Sequence, residues 1–287
     1  SYILRIAHSL RRNENLIRGE VDWIIYLDTG GASVARAILS EKGRLVETVE
    51  DGAGGSFLVT AFTKAPGAPP WEVGWSPELS LTYGQLLGRM HALSKAYKLA
   101  NPAWKRPEWD DDLMLDVERN VPASEQLVVD RFRALRAHLE ALPRDSESYG
   151  MIHFDAHRGN LFVDEAGQIT LFDFDDCHHS WYANDVAIVL FYMVVNTEDA
   201  PTVAAQFMPL FLQGYRRENR LDAQWLQEVP NFLKLREIDL YAVIHRSFDV
   251  DNLDDPWCSA FMRGRKERIE NGLPFLDFPF ETLAEYL

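Results

Sequence analysis

The sequence is poor in cysteine and in long apolar runs. Its 287 residues include two cysteines, Cys177 and Cys258, which are too few for a disulfide framework and lie outside any Cys-x-x-Cys metal or redox pattern. The apolar runs are far shorter than the ~20 residues that cross a bilayer. The N-terminus turns basic after an apolar start, which is the reverse of a secretory signal. We therefore expect a cytoplasmic protein with no membrane partner.

Basic charge is also scarce. The chain carries 29 Lys and Arg residues against 44 Asp and Glu residues, which gives a formal net charge of −15 at pH 7. Nonspecific binding to nucleic acid depends on Lys and Arg contacts to phosphate, so we expect no nucleic-acid partner. The excess of carboxylates is compatible with a cationic small-molecule substrate and, more commonly, with a solvated acidic surface.

The first part of the chain is typical of a small sheet with one helix. A helix is predicted from Asn13, its N-cap, to Leu27, because Gly30 and Gly31 follow. Strand patterns occupy residues 1–7, 34–39, 44–50 and 57–64. Residues 65–70, APGAPP, form a break that is rich in proline and glycine. We therefore predict an α+β chain with a small β-rich N-lobe at residues 1–66 and a larger, mostly helical C-lobe at residues 67–287.

The C-lobe shows apolar residues at helical spacing after a capping-box pattern, Thr82-x-x-Gln85, which predicts a helix start. Further helices are predicted near residues 124–142, 183–195, 202–217, 225–248 and 258–271.

The stretch HFDAHRGNLF, residues 153–162, concentrates polar chemistry between apolar neighbours. Residues 161–163 and 169–172 predict two short strands around a turn, and Asp173 follows directly. Such a hairpin brings Asp155 and Asn160 close to Asp173. These residues suit phosphoryl transfer, in which one carboxylate orients the attacking hydroxyl and accepts its proton. We assign that role to Asp155, and we predict that Asn160 and Asp173 supply the oxygen ligands of Mg²⁺. The spacing also matches the kinase pattern H-x-D-x-x-x-x-N.

A metal-dependent hydrolase is the alternative interpretation of the same stretch. If residues 153–157 were extended, alternation would place His153, Asp155 and His157 on one face. The further candidate ligands are Asp173, Asp175, Asp176, His178 and His179. This alternative gives no role to Asn160 or to the hairpin spacing.

HFDAHRGNLF followed by ITLFDFDD resembles the aminoglycoside phosphotransferase and choline kinase-like family of small-molecule kinases. The resemblance implies a two-lobed protein kinase-like fold, ATP and Mg²⁺ as cofactors, and phosphorylation of a hydroxyl on a small, amine-bearing metabolite or antibiotic. It also implies that Asp185 braces the loop. We expect His153 to be a packed loop histidine, and His157 either to support the loop or to lie near the terminal phosphate. Phe154 stands where the family usually has glycine.

The resemblance extends to the first lobe. Arg5 occupies the position of a phosphate-binding lysine in protein kinases, and Glu20 is its partner carboxylate. A surface ion pair without a further role is the alternative. Residues 62–67 resemble the family's hinge, so the backbone of Phe62, Thr63 and Ala65 would bind adenine.

Two further expectations follow from the resemblance. The family places two strands and a glycine-rich turn before the arginine strand, so either the sequence is incomplete at its N-terminus or it lacks this flap. The absence of the flap would favour a third interpretation, a noncatalytic nucleotide-binding or regulatory protein of kinase shape. Asp175, Asp176 and Trp181 are candidates for lining the substrate pocket, whose ligand could be an aminoglycoside, another aminated antibiotic, choline or an amino alcohol.

Overall fold

The N-terminal part of the chain is an antiparallel sheet of four strands. The computed structural model describes residues 1–10 and 12–287. The strands are β1 (Tyr2–His8), β2 (Ala37–Ile38), β3 (Glu47–Glu50) and β4 (Ser56–Thr63). β4 is central: it pairs with β1 along one edge, and with β2 and β3 along the other. The predicted strand at residues 34–39 is therefore much shorter than expected.

One helix, α1 (Glu14–Thr29), packs against this sheet. As predicted, Asn13 caps it, since the Asn13 side chain accepts a hydrogen bond from the N–H of Asn15, and the helix ends at Gly30. Ile17 and Val21 lie in a small cluster with Val46 and Leu58 of the sheet. Apolar residues on another face of α1 enter the main core. This orientation turns the middle of the helix toward β1.

The rest of the chain is mainly helical. Its helices are α2 (Pro70–Val73), α3 (Pro77–Ser94), α4 (Val117–Asn120), α5 (Gln126–Glu140), α6 (Tyr182–Val194), α7 (Ala200–Tyr215), α8 (Val229–Ser247), α9 (Pro256–Met262) and α10 (Arg265–Glu270). α6 is buried along almost its whole length and packs against α7 and α8. Within the described residues, none of the helices combines the length and the apolar character that a bilayer crossing requires.

Two helix predictions were wrong. The helix predicted to open at Thr82 begins at Pro77, because Ser76 is the N-cap and proline suits the first helical position. Thr82 instead donates its hydroxyl proton to the carbonyl of Glu78 inside the helix. The helix predicted at residues 258–271 is two helices, because Gly264 adopts a left-handed conformation with φ 63° between them.

Two short pairs of antiparallel strands flank the loop at residues 153–160. Strand β5 (Tyr149–Ile152) leads into the loop and pairs with β8 (His178–Trp181). Strand β6 (Leu161–Val163) leaves it and pairs with β7 (Ile169–Leu171), which confirms the predicted hairpin. Ala68 exchanges two backbone hydrogen bonds with Val163, at 3.1 and 2.9 Å. The chain between the two lobes is thereby fixed against β6.

Candidate active site

The 153–160 loop is held from below by Asp185 of α6. Its two carboxylate oxygens accept the backbone N–H groups of His153, at 2.8 Å, and Phe154, at 2.7 Å. His91 of α3 lies 3.1 Å from the same carboxylate, and both side chains are fully buried. Burial opposes the ionisation of Asp185, but the hydrogen bonds from His91 and the loop backbone keep its pKa below the usual value. The structure thus places an ionised carboxylate under the loop.

Phe154 adopts a left-handed backbone conformation, with φ 64°. A bulky residue rarely takes this conformation, which costs roughly 1–2 kcal/mol for a side chain with a Cβ. The ring is buried and lies 4.4 Å from the ring of His178. The loop conformation therefore accounts for the glycine that is usual in the resembling family, and burial of the ring offsets the strain in this chain.

The Asp155 carboxylate is hydrogen-bonded on both oxygens. Its Oδ1 accepts from Nη2 of Arg236, at 3.0 Å, and its Oδ2 accepts from Nδ2 of Asn160, at 2.9 Å. His157 Nε2 lies 3.4 Å from Oδ2. Burial opposes ionisation, but the hydrogen bond of His157 and the charge of Arg236 lower the pKa of Asp155. Asp155 is therefore an ionised and oriented carboxylate.

Asn160 and Asp173 are brought together by the hairpin. The N–H of Phe172 donates to the carbonyl of Asn160 at 2.9 Å, and Asp173 is the next residue. Asn160 uses its amide N–H₂ group on Asp155, which leaves its Oδ1 for another ligand. Asp173 has φ 64° and is exposed on the cleft between the lobes. Two oxygen donors of these types fit Mg²⁺, which would neutralise phosphate charge there.

The histidines do not form the alternative metal site. His153 is fully buried: its Nδ1 accepts the N–H of Asp155, and its Nε2 lies 3.2 Å from the carbonyl of Phe172. His157 Nδ1 accepts the N–H of Gly159. Across residues 1–10 and 12–287, no three His, Cys, Asp or Glu side chains are placed to hold one metal ion. The three-ligand interpretation of His153, Asp155 and His157 was therefore wrong, because the loop turns at Phe154 and does not stay extended.

A cleft of about 370 Å³ lies between the sheet and the β6–β7 hairpin with residues 172–174, which follow it. Its apolar lining comes from both lobes and includes Ile24, Ala35, Phe62, Phe162 and Phe172. The predicted hinge residues Phe62, Thr63 and Ala65 line it, as do Arg5, Glu20 and Asp173. A planar apolar group fits such walls, while the charged residues suit phosphates and a metal ion.

Arg5 and Glu20 form a bidentate pair in this cleft. The two Arg5–Glu20 hydrogen bonds measure 2.8 and 2.6 Å, and Glu20 is fully buried. Burial opposes the charge on Arg5, but the adjacent Glu20 carboxylate outweighs it and raises the pKa of Arg5. The interpretation as a surface ion pair was wrong, because α1 carries Glu20 into the interior. Asp175 lies 3.7 Å from Arg5 and also pairs with Arg12.

A family model described as the phosphotransferase enzyme family matches residues 1–222. The chain belongs to this family. It is also 40% identical to the amicoumacin kinase of Bacillus subtilis strain 168, over 99% of this chain and 85% of that protein. The structure of amicoumacin kinase hAmiN in complex with AMP-PNP, Ca²⁺ and Ami superposes with a TM-score of 0.92 and 38% identity, covering 98% of this chain and 85% of hAmiN. A microcompartment-associated aminopropanol kinase gives a TM-score of 0.75 at 25% identity, over 95% of this chain and 86% of that one.

These matches confirm the predicted α+β, protein kinase-like fold and the predicted enzyme class, an ATP-dependent phosphotransferase that acts on a small molecule. They decide against both a metal-dependent hydrolase and a noncatalytic nucleotide-binding protein.

The candidate substrate residues of this phosphotransferase lie in three different environments. Trp181 is fully buried, donates its indole N–H to the carbonyl of Pro143 at 2.8 Å, and packs against Trp109. The expectation that Trp181 lines a pocket was wrong, because β8 directs it into the core. Asp175 faces the arginines of the N-lobe. Asp176 is exposed and stays a candidate.

Sequence reasoning missed two buried arginines of this phosphotransferase. Arg106 donates to the carbonyls of Cys177, Asp175 and Leu16 at 2.6–3.1 Å, and so joins the 172–177 segment to α1. Arg236 of α8 donates to Asp155. Its Arg-x-x-Asp spacing to Asp239 is typical of an exposed helical pair. The signal that could have found it is apolar: Phe232 and Leu240, one turn away on either side, are both buried.

Proposed function

We propose that this chain transfers the γ-phosphoryl group of ATP to a hydroxyl of amicoumacin or of a similar amine-bearing antibiotic. The proposal depends on the near full-length match to amicoumacin kinase, with 40% identity over 99% of the chain. The similarity to hAmiN, at a TM-score of 0.92 and 38% identity, also supports it. A cytoplasmic setting goes with this proposal, because ATP is the donor.

The interlobe cleft is the proposed ATP site. Adenine would lie between the apolar walls, against the hinge. The N–H of Thr63 already donates to the carbonyl of Arg36, at 2.8 Å, while Ala65 N–H has no protein acceptor within the described residues. Ala65 is therefore the proposed hinge donor. Arg5, fixed by Glu20, would hold phosphate oxygens, and Asn160 and Asp173 would hold Mg²⁺.

The chemistry assigned to Asp155 is general-base orientation of the acceptor. The hydroxyl oxygen of the acceptor forms a bond to the γ-phosphorus, the bond from that phosphorus to the ADP oxygen breaks, and Asp155 takes the hydroxyl proton. The low pKa of Asp155 keeps it ionised before the reaction. In the largely dissociative transition state of phosphoryl transfer, placing the hydroxyl matters more than removing its proton early.

The acceptor side of the site favours a cation. Asp176 is exposed beside the loop, and both desolvation and the nearby carboxylates of Asp155 and Asp175 raise its pKa. A carboxylate whose ionisation is opposed by neighbouring carboxylates is stabilised by a bound ammonium group. Together with the net charge of −15, this supports an amine-bearing substrate.

Release of ADP from Mg²⁺-ATP should be measured with amicoumacin, an aminopropanol, choline and an aminoglycoside as acceptors, with mass spectrometry of each product. We expect amicoumacin to give the highest kcat/KM and a product that has gained one phosphoryl group. Asp155→Asn serves as the inactive control. Preference for another acceptor would overturn the substrate assignment. If the wild-type protein, like the Asp155→Asn variant, phosphorylated none of these acceptors, the proposal as a whole would be overturned.

A further inference from the structure

Arg236 is the one arginine of the described chain that donates to Asp155. It lies on α8, and 9% of its surface is exposed. Nη2 lies 3.0 Å from Asp155 Oδ1, and Nη1 lies 2.9 Å from Oδ2 of Asp239, one turn further along the same helix. A single guanidinium thus bridges the Asp155 carboxylate of the loop and the Asp239 carboxylate of its own helix, α8.

Two aromatic rings hold this guanidinium in place. It lies 5.0 Å from the ring centre of Phe154 and 5.3 Å from that of Tyr192 of α6. The hydroxyl of Tyr192 also accepts a hydrogen bond from Nη2 at 2.6 Å. Phe154 is the residue that departs from the family's usual glycine, so the ring gained by that departure is one of the two that contact Arg236.

The contacts to Asp155 divide its two oxygens between two donors. Arg236 engages Oδ1, and Asn160 of the loop itself engages Oδ2. A carboxylate with one donor can rotate about its Cβ–Cγ bond, whereas two donors on different oxygens fix its plane. Oδ2 also faces His157, at 3.4 Å, whereas Oδ1 keeps a second lone pair for the acceptor hydroxyl.

We propose that Arg236, held between Phe154 and Tyr192 and anchored on Asp239, is a positioning residue that fixes the plane of the Asp155 carboxylate for phosphoryl transfer. This inference depends on the proposed role of Asp155. Arg236 acts through Asp155 and does not contact the nucleotide cleft, so its loss should lower kcat and leave the KM for ATP unchanged.

Arg265 provides a matched control. Like Arg236, it is a largely buried arginine that pairs with a carboxylate of α8, at 2.7 Å from Oε1 of Glu237, and lies over an aromatic ring, 4.3 Å from Phe261. Its contacts do not include the 153–160 loop. A loss that came only from removing a buried ion pair would appear in both variants.

The test compares Arg236→Met, Arg236→Lys and Arg265→Met by steady-state ADP release and by melting temperature. A misplaced reacting group can cost ~10²-fold, so we expect Arg236→Met to lower kcat by ~10- to 10²-fold. Arg236→Lys should recover part of this loss, because its single ammonium can reach one carboxylate but lacks the planar fork. Arg265→Met should retain the wild-type kcat.

Combination with Asp155→Asn separates the possible explanations. If Arg236 acts through Asp155, adding Arg236→Met to Asp155→Asn should give no further loss of turnover. If the losses of turnover in the two single variants instead add fully in the double variant, the inference is overturned. It is also overturned if Arg236→Met alone raises kcat or lowers the KM for the acceptor, because Arg236 would then obstruct the substrate. If Arg236→Met does not fold, Tyr192→Phe replaces it, because this change removes one hydrogen-bond acceptor of Arg236 and keeps the ring. It should likewise lower kcat and leave the KM for ATP unchanged. Wild-type turnover in Asp155→Asn would instead remove the assigned base and the proposal built on it.

Discussion

The 153–160 loop and the 172–177 segment both contribute to the candidate active site, but they are held in different ways. Each contains a non-glycine residue in the left-handed region, Phe154 and Asp173, both with φ 64°. The loop is held by side chains that contact it directly, and its Asp155 carboxylate accepts hydrogen bonds on both oxygens. The segment is held through its backbone carbonyls by Arg106. The Asp173 side chain is exposed and makes no hydrogen bond within the described residues.

This difference follows from what the two carboxylates are proposed to do. A base that orients a hydroxyl must be in place before the substrate arrives, so fixing its plane in advance lowers the cost of reaching the transition state. A metal ligand must adjust to an ion that arrives with ATP and keeps several of its waters. A fixed backbone with a free side chain serves the second role. The structure therefore preorganises Asp155 and leaves Asp173 adaptable.

The largest expected effects separate the two carboxylates by the step that each one serves. Asp155→Asn should lower kcat by ~10²- to 10⁴-fold and leave ATP affinity nearly unchanged, because the group acts on the acceptor. Asp173→Ala should abolish Mg²⁺-dependent nucleotide binding. Steady-state kinetics and calorimetric titration of Mg²⁺ with a nonhydrolysable ATP analogue measure the two effects. Unchanged titration in Asp173→Ala would remove its metal role, and wild-type turnover in Asp155→Asn would remove the base.

The next effect concerns stability. Asp185→Ala would leave two loop N–H groups and the buried His91 without their acceptor, and buried donors left unsatisfied cost ~1–3 kcal/mol each, so we expect a total cost of ~3–5 kcal/mol. We expect the free energy of unfolding, measured in urea, to fall by that amount. Asp173→Asn is the control, because asparagine also tolerates the φ of 64° and the substitution removes only the charge of an exposed side chain, so stability should stay near wild type. If the two variants were equally stable, the contrast between Asp185, which holds the loop, and the exposed Asp173 carboxylate would be contradicted.

Much of this arrangement could be predicted from the sequence because it depends on local patterns. The hairpin at residues 161–171 follows from two apolar runs around a turn, and it brings Asn160 beside Asp173. The helix cap at Asn13 is equally local. The roles of Asp155, Asn160, Asp173 and Asp185 stay predictions. The structure shows that Asp185 accepts two loop N–H groups, that Asn160 donates to Asp155 and that Asp173 follows the hairpin.

What the sequence could not predict depends on long-range burial. Trp181 looked like a pocket aromatic beside an acidic run, but pairing of β8 with β5 directs it into the core. Arg236 lies 81 residues from Asp155 in the chain, and only the packing of α6 against α8 brings it there. No local spacing carries that information. The histidine pair was misleading for a local reason, because the left-handed turn at Phe154 breaks the alternation that a metal site would need.

His178 contacts both the 153–160 loop and the 172–177 segment, and it should make the stability of the protein depend on pH. Its ring packs on Phe154, its Nδ1 bonds to the carbonyl of Asp176 at 2.9 Å, and burial lowers its pKa to about 3. In the unfolded chain the same histidine has its ordinary pKa of 6.5. The stability that neutral His178 contributes to the folded protein is therefore complete above pH 6.5 and is lost as the pH falls from 6.5 toward about 3. Between pH 7 and pH 5 we expect ~2 kcal/mol less stability from this residue.

The measurement is urea unfolding at several pH values for wild type and His178→Asn. The asparagine amide can keep the hydrogen bond to Asp176 and does not titrate. The variant should therefore show a shallower fall in stability toward low pH. The same slope in both proteins would mean that His178 is not the group that takes up the proton.

The smallest expected effect is a difference in stability between two substitutions of Phe154, and it tests the left-handed turn itself. Replacing the buried Phe154 by a small residue should destabilise the protein by ~3–5 kcal/mol, because a cavity forms and the contact with Arg236 is lost. Alanine keeps the unfavourable φ, whereas glycine adopts it freely. Phe154→Gly should therefore be about 1 kcal/mol more stable than Phe154→Ala, which reverses the usual order of these residues. Paired urea unfolding curves measure this difference, and an alanine variant as stable as the glycine variant would show that the turn carries no strain.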